Sequence, residues 1–523
     1  MSRLFLLAAL FLPTIALGGP AFRPVAMPEH VYAGGWEHFV GGGVAVFDCN
    51  GDHLPEIVAA GGENPAELFR NVTEGPGAAL RFVADTPPEL ALRRVTGLYP
   101  LDIDSDGLLD LAVLRVGENR LLRGLGDCRF EPFPESLGFV SDDRWTTAFS
   151  ATWERGQTLP TLAFGNYVDR NNPEGPFEAC DVNQLYRPQG IRYGAPLALA
   201  PGYCALSALF SDWNRSGRAD LRLSNDRHYY VRGGSEQMWA MEPVPRLYKE
   251  AEGWHPWSLW GMGIASRDMN GDGLPDVFLS SMGDQRLQLR DGPGPSWVDA
   301  PFSLGTTAQR PHIGDDGRPS TGWHIAIGDV NNDGRDDVFI AKGNVDQMPS
   351  NAIDDPNSLL VQRDDGTFVE ASVEAGVASM ARARGAALAD LNLDGRLDLV
   401  VVNRRAPMEV YENATASGDQ GGGHWIELQL AQPAPNSRAV GAWIDLEAGD
   451  LRASREITVG GGHASGASVP EHFGLGTAQK VRVRITWPDG HVDGWLDLPA
   501  DRILDLRRTD RAPAISLLAA PKG

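Results

Sequence analysis

Short apolar runs recur along the chain at near-even spacing, each introduced by a stretch rich in acidic side chains. Val277-Phe-Leu and Leu399-Val-Val-Val are such runs. Comparable strands lie ahead of the acidic stretches: Ala205 to Phe210, Gly263 to Ala265, His324 to Ile327 and Gly385 to Ala389. Runs this short, bounded by Gly, Asn and Asp, predict β-strands joined as hairpins. The acidic stretch is then the turn of each hairpin.

The turns share one pattern. Asp268, Asn270, Asp272 and Asp276 occupy positions 1, 3, 5 and 9 of a nine-residue loop, with Gly273 at position 6. The same positions are filled by Asp102, Asp104, Asp106 and Asp110, by Asp329, Asn331, Asp333 and Asp337, and by Asp390, Asn392, Asp394 and Asp398. A fifth loop, Asp48, Asn50, Asp52 and Glu56, has His53 in place of the Gly, and a sixth, Asp212 to Asp220, has Ser216 in place of a carboxylate. Short oxygen-bearing side chains at alternate positions can wrap a hard divalent cation, and the Gly supplies the positive φ of the tight turn. These residues predict Ca²⁺, about four or five ions per chain. An EF-hand would continue to a Glu at position 12 between helices; here position 9 leads straight into a strand.

First positions at 48, 102, 212, 268, 329 and 390 give steps of 54, 110, 56, 61 and 61. Halving the double step places a hidden repeat at Trp153 to Thr161, where the ligands are gone but a Leu-Pro-x-apolar ending remains. Seven repeats of about 50 to 60 residues, each alternating loops with short strands, predict an all-β fold, a seven-bladed β-propeller over residues 30–412. The strand completing the ring is expected from either end of that segment. Residues 413–423 form a Gly- and Ser-containing linker. Beyond it, His424 to Leu430, Val440 to Leu446, Arg452 to Val459, Val481 to Trp487 and Ile503 to Leu506 alternate apolar and polar residues, which predicts a small antiparallel β domain over 424–509, followed by a loose tail over 510–523.

The loops, Gly-rich lead-ins such as Gly261-Met-Gly263 and the count of seven resemble FG-GAP/VCBS repeats, whose family includes the integrin α-subunit propeller. Asn436 to Ala442, Phe473-Gly474-Leu475-Gly476 and Trp487-Pro488-Asp489-Gly490 resemble the ASPIC/UnbV module that follows such repeats in the cartilage acidic protein family. The resemblance spans roughly residues 30 to 508. It implies a calcium-stabilised interaction or adhesion-type protein, and it places Gly462-His463-Ala-Ser465-Gly466 at a strand turn rather than in a nucleophile site.

Residues 1–18 read as a signal peptide, with Arg3, an apolar run over Leu4 to Leu12 and a small-residue ending; cleavage after Ala21 is the other possibility. The apolar run is too short to span a bilayer, which leaves a secreted or periplasmic protein. A net charge of −23, concentrated in the loops, argues against nucleic acid and anionic membrane as partners. Four cysteines in an exported chain predict two disulfides, with Cys180–Cys204 favoured and Cys49–Cys128 left as the second. Long excursions at 165–204 and 226–260 carry the partner-binding candidates, the latter with Tyr229, Tyr230, Trp239, Trp254, Trp257 and Trp260. The sequence leaves open whether these aromatics pack between blades or stack on a sugar or protein partner. No G-x-S-x-G, H-E-x-x-H, P-loop or C-x-x-C motif occurs, so no catalytic residue is assigned. The expected partner is an extracellular or periplasmic protein or glycan. The alternative is an extracytoplasmic propeller enzyme acting on a polysaccharide or small metabolite in the central channel, with Arg267, His324 and Arg384 at its mouth.

Overall fold

A computed structural model describes residues 19–174, 179–226, 233–314, 316–416, 422–510 and 512–519. The expected signal peptide, Tyr229, Tyr230 and residues 417–421 of the expected linker lie outside them. Among the described residues the fold is all-β, with a single four-residue α-helix at Ser372–Ala375.

Up to Asn413, the strands form successive four-stranded antiparallel units, whose first strands are Val44–Phe47, Val95–Leu101, Arg144–Thr152, Ala205–Ser211, Gly261–Arg267, Gly322–Gly328 and Arg382–Ala389. The second and third units share an edge, Arg144 opposite Gly117, and so run together as one sheet. Each unit grades from inside to outside. First and second strands are almost wholly buried, as in Val95–Leu101 and Asp398–Arg404. Third strands such as Glu67–Asn71 and Arg286–Arg290 bury every position except the first and fourth. Fourth strands such as Phe82–Ala84 and Trp297–Asp299 bury one aromatic anchor and expose the rest. Burial on both faces explains why the second strands read as continuous apolar runs rather than as alternation. The seventh unit takes its fourth strand from the far N-terminus, Phe22–Pro24, paired with Tyr411 to Asn413.

First strands of neighbouring units lie side by side, and Val44–Phe47 touches both Val95–Leu101 and Arg382–Ala389. In units two to seven the first strand carries an irregular register near its start, for instance between Ala205 and Ser207 and between Gly261 and Gly263. Such bulges re-aim backbone groups.

From His424 onward, two further four-stranded sheets enclose a core that includes Ile426, Leu446, Phe473, Ile485 and Leu504. Two sequence expectations are corrected here. The module is not purely antiparallel: His424–Ala431 runs parallel to Arg502–Arg507, which is possible because an entire second sheet is interposed between them in the chain. The expected loose tail contains a strand, Ala514–Ala519, which pairs with Arg502–Arg507 and covers what would otherwise be an open edge. Glu471–Gly476 and Leu496–Pro499 are further strands that the pattern did not predict.

Both expected disulfides are present, Cys49–Cys128 and Cys180–Cys204. No helix among the described residues is long and apolar enough to cross a membrane.

Candidate functional site

Each acidic loop connects the first and second strands of its unit. All the loops therefore lie at one end of the units; the parts of the long excursions that follow the second strands, and the stretch leading to Gly261, lie at the other, whereas residues 187–196 return to the loop end. Position 1 organises the turn: Asp268 accepts from the N–H groups of Gly271 (2.9 Å), Asp272 (3.1 Å) and Gly273 (2.8 Å). Asp102, Asp329 and Asp390 accept from positions 5 and 6 in the same way. Position 5 caps position 7, as Asp106 Oδ1 does for the Leu108 N–H at 2.9 Å. Position 6 is left-handed in all of them, and His53 is forced into the conformation a Gly would take freely, with φ 73°. The fourth position is left-handed too, in Leu393 as well as in Gly271. That requirement was not anticipated.

Position 9 has a role that the ligand pattern hides. Asp276 accepts from the position-2 N–H of Met269 (3.0 Å) and from Arg290 (2.7 Å) on the third strand, so one carboxylate at the start of the second strand ties the loop to the third strand. Asp110, Asp337 and Asp398 do the same with Ile103 and Gly124, Val330 and Gln362, and Leu391 and Asn413. Glu56 accepts from Cys49 N–H at 3.0 Å and from Asn50 Nδ2 at 2.9 Å. In the loop over 212–220 the clamp persists on Asp220, with the Trp213 indole replacing the position-2 donor.

The predicted residues of each loop are thus brought together, and in the second loop oxygens of Asp102, Asp104 and Asp106 lie within 4.8 Å of one another. Burial, reinforced by neighbouring acids, pushes Asp110 and Asp390 up to about 8, Asp276 up to about 7 and Asp268 up to about 6. Asp329, Asp337 and Asp398 are also pushed up, for the same reasons. Arginines offset part of the charge: Arg123 donates to Asp104 and Asp106, each at 2.7 Å, and Arg335 to Asp333 at 2.9 Å. All-oxygen donors in this number suit Ca²⁺. Cys49, Glu56 and Cys128 also converge, but the two sulfurs are joined as a disulfide and are no metal ligands.

The C-terminal module sits on the loop end. Ser437 Oγ donates to Asp102, Glu456 accepts from the Asp212 N–H (2.7 Å), and Arg455 donates to Asp336 (2.7 Å). Arg215 is paired with Asp445 at 3.0 Å and lies 4.2 Å from the centre of the Trp443 ring. Trp425 packs flat against Gly395, where an added Cβ would fall 1.7 Å from the indole.

Residues 457–468 of the module leave its sheets and run between the first strands. Val459 bridges Ala151, Gly460 bridges Leu209, Gly462 bridges Ile264 and Ser465 bridges Leu98. Gly466 to Ser468 pair in parallel with Ala45 to Phe47. His463 is fully buried at the tip: its Nε2 accepts from the Gly41 N–H (3.1 Å), while Nδ1 faces the carbonyls of Leu206 (3.2 Å) and Met262 (3.3 Å), both at bulges. The His463 N–H donates to His324 Nδ1 at 2.9 Å. Gly462, with φ 57°, is in van der Waals contact with the His324 ring and leaves no room for a side chain.

Of the three residues suggested for a channel mouth, Arg267 and His324 line one space beside the inserted segment, and Arg384 does not. His324 is committed to the inserted segment. Arg384 is buried over the Trp323 ring at 4.0 Å and donates to backbone carbonyls including Phe39 and Val345. Arg267 lies beside Asp336 and Glu471. A space of about 210 Å³ remains beside the inserted segment.

Of the aromatic run, Trp239 is buried opposite Leu221 beside the acidic loop, Trp254 is buried between two units against Trp297, Trp257 is partly buried, and Trp260, at the opposite end, is 41% exposed. Trp260 borders a hollow of about 380 Å³ with Asp284, Arg286 and Gln309. A larger cleft of about 590 Å³ separates the ligand-free loop over Trp153 to Gln157 from the module's Gln432 to Asn436 and Arg508.

Residues 432–513 match the family model for ASPIC and UnbV, and residues 268–340 and 329–401 match that for an FG-GAP-like repeat. The chain is 29% identical to Cartilage acidic protein 1 of Homo sapiens over 166 residues, which is 30% of this chain and 23% of that protein. Against the Mus musculus protein of the same name the identity is 26% over 190 residues, or 35% and 28% of the two chains. The matches therefore span about a quarter of the length of these relatives. Among solved structures, BBS1N in complex with ARL6DN aligns at 9% identity over 76% of this chain and 98% of its own, with a TM-score of 0.43. The WD40 domain of Toxoplasma gondii coronin aligns at 11% identity over 77% and 89%, with a TM-score of 0.40.

Proposed function

We propose that this chain, which carries FG-GAP-like repeats and an ASPIC/UnbV region, is an exported calcium-binding interaction protein of adhesion type: a closed seven-bladed propeller capped on its loop face by the C-terminal module. Closure is supported by the cyclic contacts of the first strands and by the N-terminal strand that completes the seventh unit. Export is supported by the two disulfides.

The observation that carries the calcium reading is the convergence of Asp102, Asp104 and Asp106 within 4.8 Å, in a loop whose backbone pattern recurs in the others. Ligands would be positions 1, 3, 5 and 9 of the loops at 102, 268, 329 and 390, with the loop at 48 as a fifth. Bound Ca²⁺ supplies positive charge to carboxylates that burial otherwise opposes. The test is calorimetric titration of chelator-treated protein together with elemental analysis. Four or five Ca²⁺ per chain are expected; no uptake, and a thermal transition indifferent to EDTA, would sink the reading.

The module covers the loop face, so the partner, a protein or a glycan, is received on the opposite face, where Trp260 and part of each long excursion lie. Substitution of Trp260 by Ala is expected to abolish retention of that partner on immobilised protein without changing the calcium stoichiometry. The enzymatic alternative finds little support, because residues 457–468 occupy the axis where a substrate would have to enter.

A further inference from the structure

The strand His424–Ala431 turns Ile426 and Leu428 into the module's core. Its alternate residues therefore face the propeller, Trp425 against Gly395 and Glu427 toward the loop over 390–398. Glu427 is 2% exposed, and its carboxylate has no hydrogen-bond or ion-pair partner among the described residues. The charged groups acting on it most strongly are all acids: Asp390, Asp394, Asp398 and Glu471. Arg396 pairs with Asp394 and Arg267 lies beside Glu471, but a buried carboxylate whose strongest charged neighbours are acids is a costly arrangement unless a further cation joins them.

The loop itself differs from its fellows at one atom. In the others, the position-3 oxygen accepts from the position-5 N–H, as Asn270 does from Asp272 at 3.0 Å and Asn50 from Asp52 at 2.8 Å. Asn392 is 1% exposed, and its Nδ2 donates to the Ala78 carbonyl, yet its Oδ1 has no partner. An uncommitted amide oxygen in the loop and an uncommitted carboxylate above it together point to a shared ligand. His472, opposite Glu427 in the next strand, holds the Gly395 carbonyl at 3.1 Å, and Trp425 fixes the other side.

We propose that Glu427 of the C-terminal module completes the seventh loop's cation site, so that one divalent cation is held by Asp390, Asn392 and Asp394 from the propeller and by Glu427 from the module. The ion thereby fastens the two parts of the chain to each other. This rests on the calcium reading above and adds to it a ligand from outside the nine-residue loop.

Terbium is the probe, because Trp425 lies against the loop and can sensitise its emission; Trp425→Phe identifies that component of the signal. Glu427→Gln keeps the shape and removes the charge. The expected result is that Trp425-sensitised emission requires about tenfold more Tb³⁺ in Glu427→Gln than in the parent. The thermal transition provides a second readout whose sign changes. With EDTA, Glu427→Gln melts at or above the parent temperature, because a buried like charge has gone; with Ca²⁺ it melts below. Equal Tb³⁺ affinity and an equal Tm shift in both conditions would overturn the role of Glu427 and leave the calcium reading standing. A parent protein that takes up neither Tb³⁺ nor Ca²⁺ would overturn both.

Discussion

At the scale of single residues, the proposed ligand positions differ in what else they do. Asp272 at position 5 faces the turn, whereas Asp276 at position 9 holds two backbone N–H groups, one in the loop and one on the third strand. Asp272→Asn is expected to lower the calcium stoichiometry by one while leaving the melting temperature in EDTA almost unchanged. Asp276→Ala should lower it in EDTA as well, by about 2–4 kcal/mol of stability, since buried donors lose a charged acceptor. Differential scanning calorimetry with and without Ca²⁺ separates the two. Trp425→Ala should cost about 3–5 kcal/mol through the cavity opened between Leu54, Leu393 and Ile503.

At the scale of elements, the hairpins were legible because acidic turns and apolar runs alternate with a fixed period. The ligand-poor turn after Trp153 was found by arithmetic alone, and the strands Arg144–Thr152 and Thr161–Asn166 flank it. What was hidden depends on contacts distant in sequence. His424 to Leu430 read only as an alternating strand; that Trp425 and Glu427 are buried depends on the loop over 390–398, far earlier in the chain. Gly462-His463 read as a turn within a module, and nothing local signals that it runs between the first strands of earlier units. The inserted segment has a pH signature. Burial, with Arg384 and His324 facing it, holds His463 down to about 3, and burial holds His324 down to about 4. Both imidazoles are neutral in the fold, so their stabilising share is complete above about pH 6.5 and is lost as the pH falls toward 4. In Ca²⁺, the Tm should therefore drop below pH 6.5, and His463→Gln should flatten that drop while lowering the Tm at pH 7.5. An acid dependence unchanged in His463→Gln would contradict the assignment.

At the scale of the whole molecule, long-range ties dominate. The disulfides close 79- and 24-residue separations, Cys49 to Cys128 and Cys180 to Cys204. On the chain-entropy account they restrict the unfolded chain by about 4–5 and about 3 kcal/mol. Reduction should lower the Tm even in saturating Ca²⁺, with Cys49→Ser/Cys128→Ser showing the larger drop, as read by thermal denaturation of the alkylated and variant proteins.

The insertion of residues 457–468 among strands that begin at residue 44 also sets an order in time. A chain that emerges N-terminus first holds Phe22–Pro24 unpaired until Glu409–Asn413 exists, and every first strand faces an empty centre until the module's segment arrives. The native state is therefore out of reach until residue 468 has been made. A nascent chain stalled anywhere before residue 457 presents a row of inward-facing strands to whatever chaperone or protease meets it first.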